Sequence, residues 1–441
     1  MGQASCLPKL GGGLEARPTP RLDVALFQRQ YTSDAKGVLY FYSVSSVNTC
    51  ELFISDDGAM AWGSPIPALG GDKPWITVDT TPSAGSGNIY ATWSHWLRQF
   101  GRSRDGGATF EAFTDEFPYA CTISVGTQGE VYVAGHDDLR VVFFRSLDAR
   151  EQEPDVTFDI IQVLDLGGEA RAGAPVNRHG LIDQTWVATD HSGGPADGAV
   201  YVLRCVDPPG DDPLDTRFTA SFDRGISWTP SVRLNDDAEG TNAWQWFGTM
   251  SVALNGRIDV VWYDTRNDPN PATPATSQVY YTFSQDAGQT WATNQALSPP
   301  FEQAVGYPTL SQKLGDYIHM VSDDVGANLA FAATFNGEQD IYFLRIGPYD
   351  CNANGVPDED DLDSGLSTDL DGNGIPDECD CLGDADHDFD VDVADLSEML
   401  ERFGRCVGDE GFRADLDLNG SGCLDLEDLS VQLARLGEYC P

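Results

Sequence analysis

The sequence predicts an all-β protein, a six-bladed β-propeller, followed by a small C-terminal module of loops and short helices. Three observations carry that prediction. A Ser-x-Asp turn signature recurs through the first 349 residues, beside apolar β-rich runs. Hairpin units pace the same region at intervals of roughly 40 to 75 residues, a spacing typical of repeated small sheets. From residue 350 the chain turns acidic and glycine-punctuated, and a helical apolar period appears twice.

Residues 1–22 form an irregular Gly/Pro-rich segment. It lacks the apolar core of a secretory signal, which implies a start downstream of the natural beginning. The turn signature follows as Ser103, Asp105, Gly107, Phe110; Ser221, Asp223, Gly225, Trp228; and Ser284, Asp286, Gly288, Trp291. Ser55, Asp57 and Trp62 keep it, with Ala59 in the glycine place. Physically this is a hairpin turn. The carboxylate accepts from turn N–H groups, glycine permits the backbone conformation, and the aromatic ring covers the turn. The flanking strands fall at 38–42 with 51–54, 89–93 with 100–103, 199–203 with 219–221, and 279–283. Two more hairpins, 131–134 with 141–145 and 329–333 with 341–345, keep the rhythm with the signature eroded. Such sheets cannot bury both faces alone, so six of them close radially over 23–349. The N-terminal β-run is expected to help close the last blade.

The turn signature resembles the Asp-box (BNR) repeat of the sialidase superfamily. The resemblance implies a six-bladed propeller with Asp105, Asp223 and Asp286 in structural positions at blade edges. A second repeat points at the propeller axis: Asp72 with Trp75 and Asp79 matches Asp183 with Trp186 and Asp190. Each copy reads as the start of an innermost strand, where propellers bind ligands. His95, His191, Tyr263, Asp264, Arg266, Asp316 and Tyr317 belong near the same rim. Asp72, Asp183, Tyr263, Asp264 and Arg266 are the candidate catalytic or ligand-binding residues. The alternative for Asp264 and Arg266 is a loop-bracing salt bridge, and for Trp75 and Trp186 a place in the core. Sialidase chemistry needs an arginine triad, a Tyr–Glu nucleophile and an acid, whereas general glycosidases need two spaced carboxyls. No Arg-Ile-Pro segment stands near the first blade, and Arg98, Arg140, Arg178 and Arg266 form no recognisable triad in sequence.

The last 92 residues carry one calcium-loop spacing four times, with oxygen donors at loop positions 1, 3, 5, 9 and 12. The first copy is Asp350, Asn352, Asn354, Asp358 and Asp361; the second is Asp369, Asp371, Asn373, Asp377 and Asp380. The third is Asp384, Asp386, Asp388, Asp392 and Asp395; the fourth is Asp417, Asn419, Ser421, Asp425 and Asp428. Calcium is a hard cation that takes six to eight oxygens, so Ca2+ is the expected cofactor, two ions in each half of the tail. Residues 350–381 form a connector, and 382–441 pair two loop–helix units. Leu396, Leu400 and Phe403 share one helical face, as do Leu429, Leu433 and Leu436, and the two faces are expected to pack together. The connector resembles thrombospondin type 3 calcium repeats. The terminal module resembles a type I dockerin, a duplicated half EF-hand, which implies a cohesin-like docking partner met through Val393, Ala394, Leu426 and Glu427.

Residues 350–441 hold 27 Asp and Glu against four Arg and no Lys, a net of −23 out of the chain's −44. That balance argues against a nucleic-acid partner, which needs Lys and Arg stripes. No apolar run reaches membrane-spanning length. Cys351, Cys379, Cys381, Cys406, Cys423 and Cys440 crowd the tail, as disulfides do in an oxidising compartment, with the pairing open. A secreted or cell-surface monomer is expected. Three readings of the propeller stand: a glycan- or protein-recognition scaffold, a sialidase-like glycoside hydrolase, and a structural spacer in an envelope or matrix.

Overall fold

The computed structural model describes residues 29–46, 49–94, 99–113, 117–151, 155–171, 173–270, 273–306, 313–352, 354–369, 374–377, 379, 382–385 and 391–437. Six antiparallel sheets follow one another along the chain. Blade one holds β1 (Arg29–Ser33), β2 (Leu39–Ser46), β3 (Thr49–Ser55) and β4 (Ile66–Leu69). Blade two holds β5 (Asp72–Val78), β6 (Ile89–Ser94), β7 (Gln99–Ser103) and β8 (Glu111–Phe113). Blade three holds β9 (Tyr119–Val125), β10 (Val131–Asp137), β11 (Arg140–Ser146) and β12 (Ile160–Leu164). Blade four holds β13 (Trp186–Thr189), β14 (Val200–Val206), β15 (Asp215–Ser221) and β16 (Val232–Arg233). Blade five holds β17 (Gln245–Val252), β18 (Ile258–Asp264), β19 (Thr276–Ser284) and β20 (Gln295–Ala296), with β21 (Phe301–Glu302) also on β19. Blade six holds β22 (His319–Ser322), β23 (Ala327–Ala333) and β24 (Asp340–Ile346). The chain is thus a six-bladed β-propeller. The run before β1, expected to complete blade six, lies outside the described residues.

The first strand of each blade meets the first strand of the next, in the series β1–β5–β9–β13–β17–β22. Those strands line the axis. Second strands such as β14 and β18 are buried at every position, because neighbouring blades cover both their faces. This is why they read as continuous apolar runs rather than as alternation.

The Ser-x-Asp turns lock blade to blade. In blade four, Ser221 Oγ donates to Asp223 Oδ1 (2.8 Å), while the N–H groups of Gly225 and Ser227 donate to Ser221 Oγ and Asp223 Oδ1. Blades two and five repeat the pattern through Asp105 and Asp286. Gly225 has φ +83°, and a Cβ there would sit 2.4 Å from Phe143 of blade three; Gly288 stands in the same relation to Phe218 of blade four, at 2.3 Å. The signature aromatics press on the same two rings, Trp228 on Phe143 at 4.9 Å and Trp291 on Phe218 at 5.0 Å.

Blade three carries this turn too, although its sequence signature is eroded. Ser146 Oγ donates to Asp148, and Thr157 donates to both carboxylate oxygens from its N–H and hydroxyl. Phe158 then packs on Phe100 of blade two at 5.6 Å. A longer loop between Asp148 and Thr157 hides the spacing.

The chain divides into two compact units, 1–322 with 327–344, and 323–326 with 345–441. The second unit holds α1 (Asp358–Ser364), α2 (Val393–Arg402) and α3 (Leu426–Arg435). Leu382, Ala385, Met399, Leu416, Leu418 and Leu424 form its core. The expected apolar pairing is met in part, since α2 and α3 are in contact and Leu429 packs on this core, and is corrected for the rest of the two faces. Leu400, Phe403, Leu433 and Leu436 are exposed, and the inward positions are Asp395 with Met399 and Asp428 with Gln432. The last loop carboxylate must turn inward to close its own loop, and that rotates each helix by about one residue. Cys351–Cys379 and Cys406–Cys423 are disulfides; Cys381 and Cys440 lie outside the described residues.

Candidate functional site

The inner strands start at one end of the axis and are stitched there. Thr185 N donates to Ala120 O (3.1 Å), joining blades four and three, and Phe247 N donates to Ile182 O (2.8 Å), joining blades five and four. β5, β9 and β17 each open with a one-residue bulge against the neighbouring strand. The bulged residues Lys73 (φ 55°), Ala120 (φ 44°) and Phe247 (φ 59°) are left-handed without being glycine. Such conformations cost about 1–3 kcal/mol each and persist only where the surroundings over-determine them. Bulges of this kind re-aim side chains at a barrel or propeller rim.

Just inside the mouth, blades two, four and six contribute Trp75, Trp186 and His319. Trp75 and Trp186 meet edge to face at 4.8 Å, and His319 lies 5.9 Å from Trp75 and 5.7 Å from Trp186. In each case an aspartate stands three residues earlier: Asp72, Asp183 and Asp316. The sequence reading paired the first two copies and missed the third, whose aromatic is a histidine. At the register of Trp75, β9 and β17 carry the small residues Thr122 and Thr249, both buried. Alternating large and small residues lets three rings share the axis. Burial pulls the His319 pKa down to about 4, so the ring is neutral.

The predicted residues fall in different settings. Asp72 is exposed and approaches Lys73 at 3.5 Å. Asp183 is buried and accepts from Cys205 N (2.6 Å) and Gly248 N (2.9 Å), pinning blade four to blade five. Burial raises its pKa to about 7, against the pull of Arg204 and the two N–H groups. Arg204, unremarked in the sequence reading, is itself buried and donates to Thr185 Oγ1 (2.6 Å). Tyr263 donates its hydroxyl to Ala332 O (2.7 Å). Asp264 accepts from Trp262 Nε1 (2.8 Å) and from Arg266 at Nε (3.0 Å) and its terminal nitrogen (2.8 Å). Arg266 also reaches Asp236 (2.6 Å) and lies 4.2 Å over the Tyr280 ring. Burial lowers the Arg266 pKa, but its carboxylate partners outweigh that and hold it above its ordinary value. The geometry of Asp264 and Arg266 is a loop brace, and the rings of Trp75 and Trp186 are buried in the axial layer with their Nε1 groups unpartnered.

Asp316 binds Lys73 Nζ (2.9 Å), Lys313 Nζ and Leu181 N (2.8 Å). Burial raises its pKa, yet the two lysines outweigh it and hold the carboxyl below its ordinary range. His191 bonds Val125 O, Arg140 pairs with Asp137, and Arg178 is exposed. His95 and Arg98 lie outside the described residues. A shallow, half-open recess beside the mouth is lined by Trp246, Phe247, Tyr263, Leu314, Tyr317 and Ala332, with Gly315.

The acidic loops gather oxygens. In the first, Asp350 accepts from Asn354 N and Gly355 N, and Asp361 Oδ2 accepts from Asn352 and Asn354. Asp361 is fully buried and its Oδ1 has no hydrogen-bond partner. In the fourth, Asp417 accepts from Ser421 N and Gly422 N, while Asp428 accepts from Asn419 N and Asp425 N. Burial first, then the charges of Asp417 and Asp425, push the Asp428 pKa up. Asp392 and Asp425 cap α2 and α3 in matching capping boxes with Asp395 and Asp428. Asp369 and Asp377 accept from Gly374 N and Thr368 Oγ1. Asp358 accepts from Cys351 N, and Asp384 is buried. Asp371, Asn373, Asp380, Asp386 and Asp388 lie outside the described residues. Among the described residues no helix is long and apolar enough to cross a membrane.

No family model matches the chain, and no curated protein does. Among solved structures it is similar to the GH93 α-L-arabinofuranosidase of Fusarium graminearum in complex with arabinobiose, at 12% identity and TM-score 0.37, over 62% of this chain and 92% of that one. The α-L-arabinanase of Penicillium chrysogenum, also with arabinobiose, aligns at 14% identity and TM-score 0.36 with the same coverage. A polysaccharide lyase of family PL25, an ulvan lyase, aligns at 12% identity and TM-score 0.43 over 70% of this chain and 81% of its own.

Proposed function

We propose that the protein is a secreted, calcium-binding, Asp-box propeller that recognises glycans at its axial mouth and is attached through a dockerin-like tail. One observation carries the recognition reading: the mouth is built of aromatic rings, while two of the three acids nominated for chemistry, Asp183 and Asp264, serve the fold. Hydrolysis needs two carboxyls facing one bond. Asp183 is taken up by two backbone N–H groups and Asp264 by Arg266 and Trp262. Aromatic faces with a few polar groups suit sugars, whose rings stack while their hydroxyls hydrogen-bond.

Calcium fits the tail. The unpartnered Asp361 Oδ1 and the crowded Asp417, Asp425 and Asp428 are hard oxygen donors left for a cation. Asp350, Asn352, Asn354 and Asp361 would hold one ion and Asp417, Asn419, Asp425 and Asp428 another; the remaining two loops follow the same register. The disulfides suit an oxidising compartment.

The two helices offer one face in duplicate. Val393 and Leu426 are 67% and 72% exposed, Leu400 and Leu433 53% and 49%, Phe403 and Leu436 41% and 43%. An apolar face repeated on both halves supports a cohesin-like protein partner for the tail. Testing starts with the full-length, calcium-loaded chain on a glycan array, alongside release assays on fluorogenic sialosides and neutral glycosides from pH 4 to 8. Saturable binding without turnover is expected; turnover would reinstate the hydrolase reading.

A further inference from the structure

Buried donors without acceptors are rare in folded proteins, and each calls for an explanation. Among the described residues the axial layer holds four, the Thr249 hydroxyl and three on aromatic rings: Trp75 Nε1, Trp186 Nε1 and the Tyr317 hydroxyl. The three rings are in contact, Trp75 with Trp186 at 4.8 Å and with Tyr317 at 6.2 Å. Tyr317 also lines the recess beside the mouth. Whatever completes this layer must therefore bring acceptors and tolerate an aromatic wall.

Electrostatics decides which acceptors. Lys73 and Lys313 both bind Asp316, and Asp72 stands beside Lys73, so the local charges balance at two of each sign. Residues 1–349 by themselves carry −21. That field repels uronates, sulfates and sialates, and the four charges bound to one another here sum to zero and do not offset it. A neutral sugar avoids the repulsion while offering hydroxyl and ring oxygens to the three donors. The rings of Trp75, Trp186 and His319 also meet across the axis, so a ligand enters the mouth end-on.

We infer that the axial mouth takes the terminal unit of a neutral saccharide, with Trp75, Trp186 and Tyr317 as its hydrogen-bond donors. This rests on the glycan-recognition reading above and names its ligand class. Calorimetric titration of the full-length, calcium-loaded protein with galactose, glucose, arabinose and rhamnose, and with glucuronate and N-acetylneuraminate, tests it. At least one neutral sugar should bind, with the acidic ones about tenfold weaker or worse. Tyr317→Phe and Trp186→Phe keep a ring and remove one donor; each should weaken binding roughly 5- to 10-fold. Unfolding midpoints of both variants separate lost donors from lost fold. Tighter binding of the acidic sugars overturns the inference and leaves glycan recognition standing. Neutral binding that neither variant weakens overturns it by placing the site elsewhere. Failure of both sugar classes removes the inference and the recognition reading together.

Discussion

Trp75 and Trp186 lie on the inner strands of alternate blades and meet edge to face at the axis, ring centroids 4.8 Å apart and planes 76° apart. Both are almost wholly buried. Replacing Trp186 by Ala should cost about 3–5 kcal/mol, as large aromatic truncations in cores do. A double-mutant cycle with Trp75→Ala should return a coupling of about 0.5–1.5 kcal/mol. Urea denaturation of the four proteins measures it, and strictly additive losses would show that the rings do not support one another.

Gly288 should be irreplaceable for two reasons that can be separated. Its φ is +83°, and a Cβ would sit 2.3 Å from Phe218. Gly37 has the same φ with nothing within 4 Å. Gly37→Ala should therefore cost only the left-handed penalty, about 1–2 kcal/mol. Gly288→Ala adds overpacking of about 1–3 kcal/mol. Equal unfolding midpoints for the two variants would contradict the blade-locking role of the turn.

The turn aspartates set an acid limit. Asp57, Asp105, Asp148, Asp223 and Asp286 all have lowered pKa values. For Asp223 slight burial acts upward, but hydrogen bonds from Ser227, Ser221 and Ile226 bring it to about 2. A carboxyl depressed in the folded state contributes stability above its unfolded pKa and loses it as pH falls through the folded one. The gap between wild type and Asp223→Asn should thus hold at pH 5 and shrink steadily toward pH 2. Thermal midpoints across that range check it.

Asp183 should behave in the opposite sense. Its pKa, about 7 in the fold, lies above the unfolded value, so folding favours the protonated form. Its contribution is present at low pH and declines as pH rises from about 4 through 7. The stability of wild type relative to Asp183→Asn should fall across that window in urea titrations. A constant difference would mean that the two N–H bonds keep the carboxylate ionised throughout.

Calcium removal should loosen the tail before the propeller. Saturating calcium at 100 times its dissociation constant stabilises a bound fold by about 2.7 kcal/mol per site. Calorimetry on the oxidised chain should count one ion fewer for Asp361→Ala and one fewer for Asp428→Ala. Asp428→Ala should also lower helical circular dichroism, since Asp428 closes the capping box of α3. Unchanged ion counts would show that the loop register is wrong. Leu400→Asp with Leu433→Asp should leave the ion count intact and abolish binding to a recombinant cohesin panel.

Local chemistry was legible in the residues. The Ser-x-Asp turns of blades one, two, four and five are written within a few positions of chain, because Ser, Asp and the following Gly or Ala59 bond one another. The capping boxes at Asp392 and Asp425 are equally local. Asp148 escaped because an insertion separates it from Thr157, although the hydrogen bonds are the same. Other features were decided by the tertiary structure alone. That Asp316 and His319 complete the series begun by Asp72 and Asp183 depends on which blades face each other across the axis. That Leu400 and Leu433 point outward depends on Asp395 and Asp428 needing the inner face. Turn bonds form between neighbours in the chain, whereas the axial layer joins residues from blades two, four and six, whose proximity exists only once the ring of blades has closed.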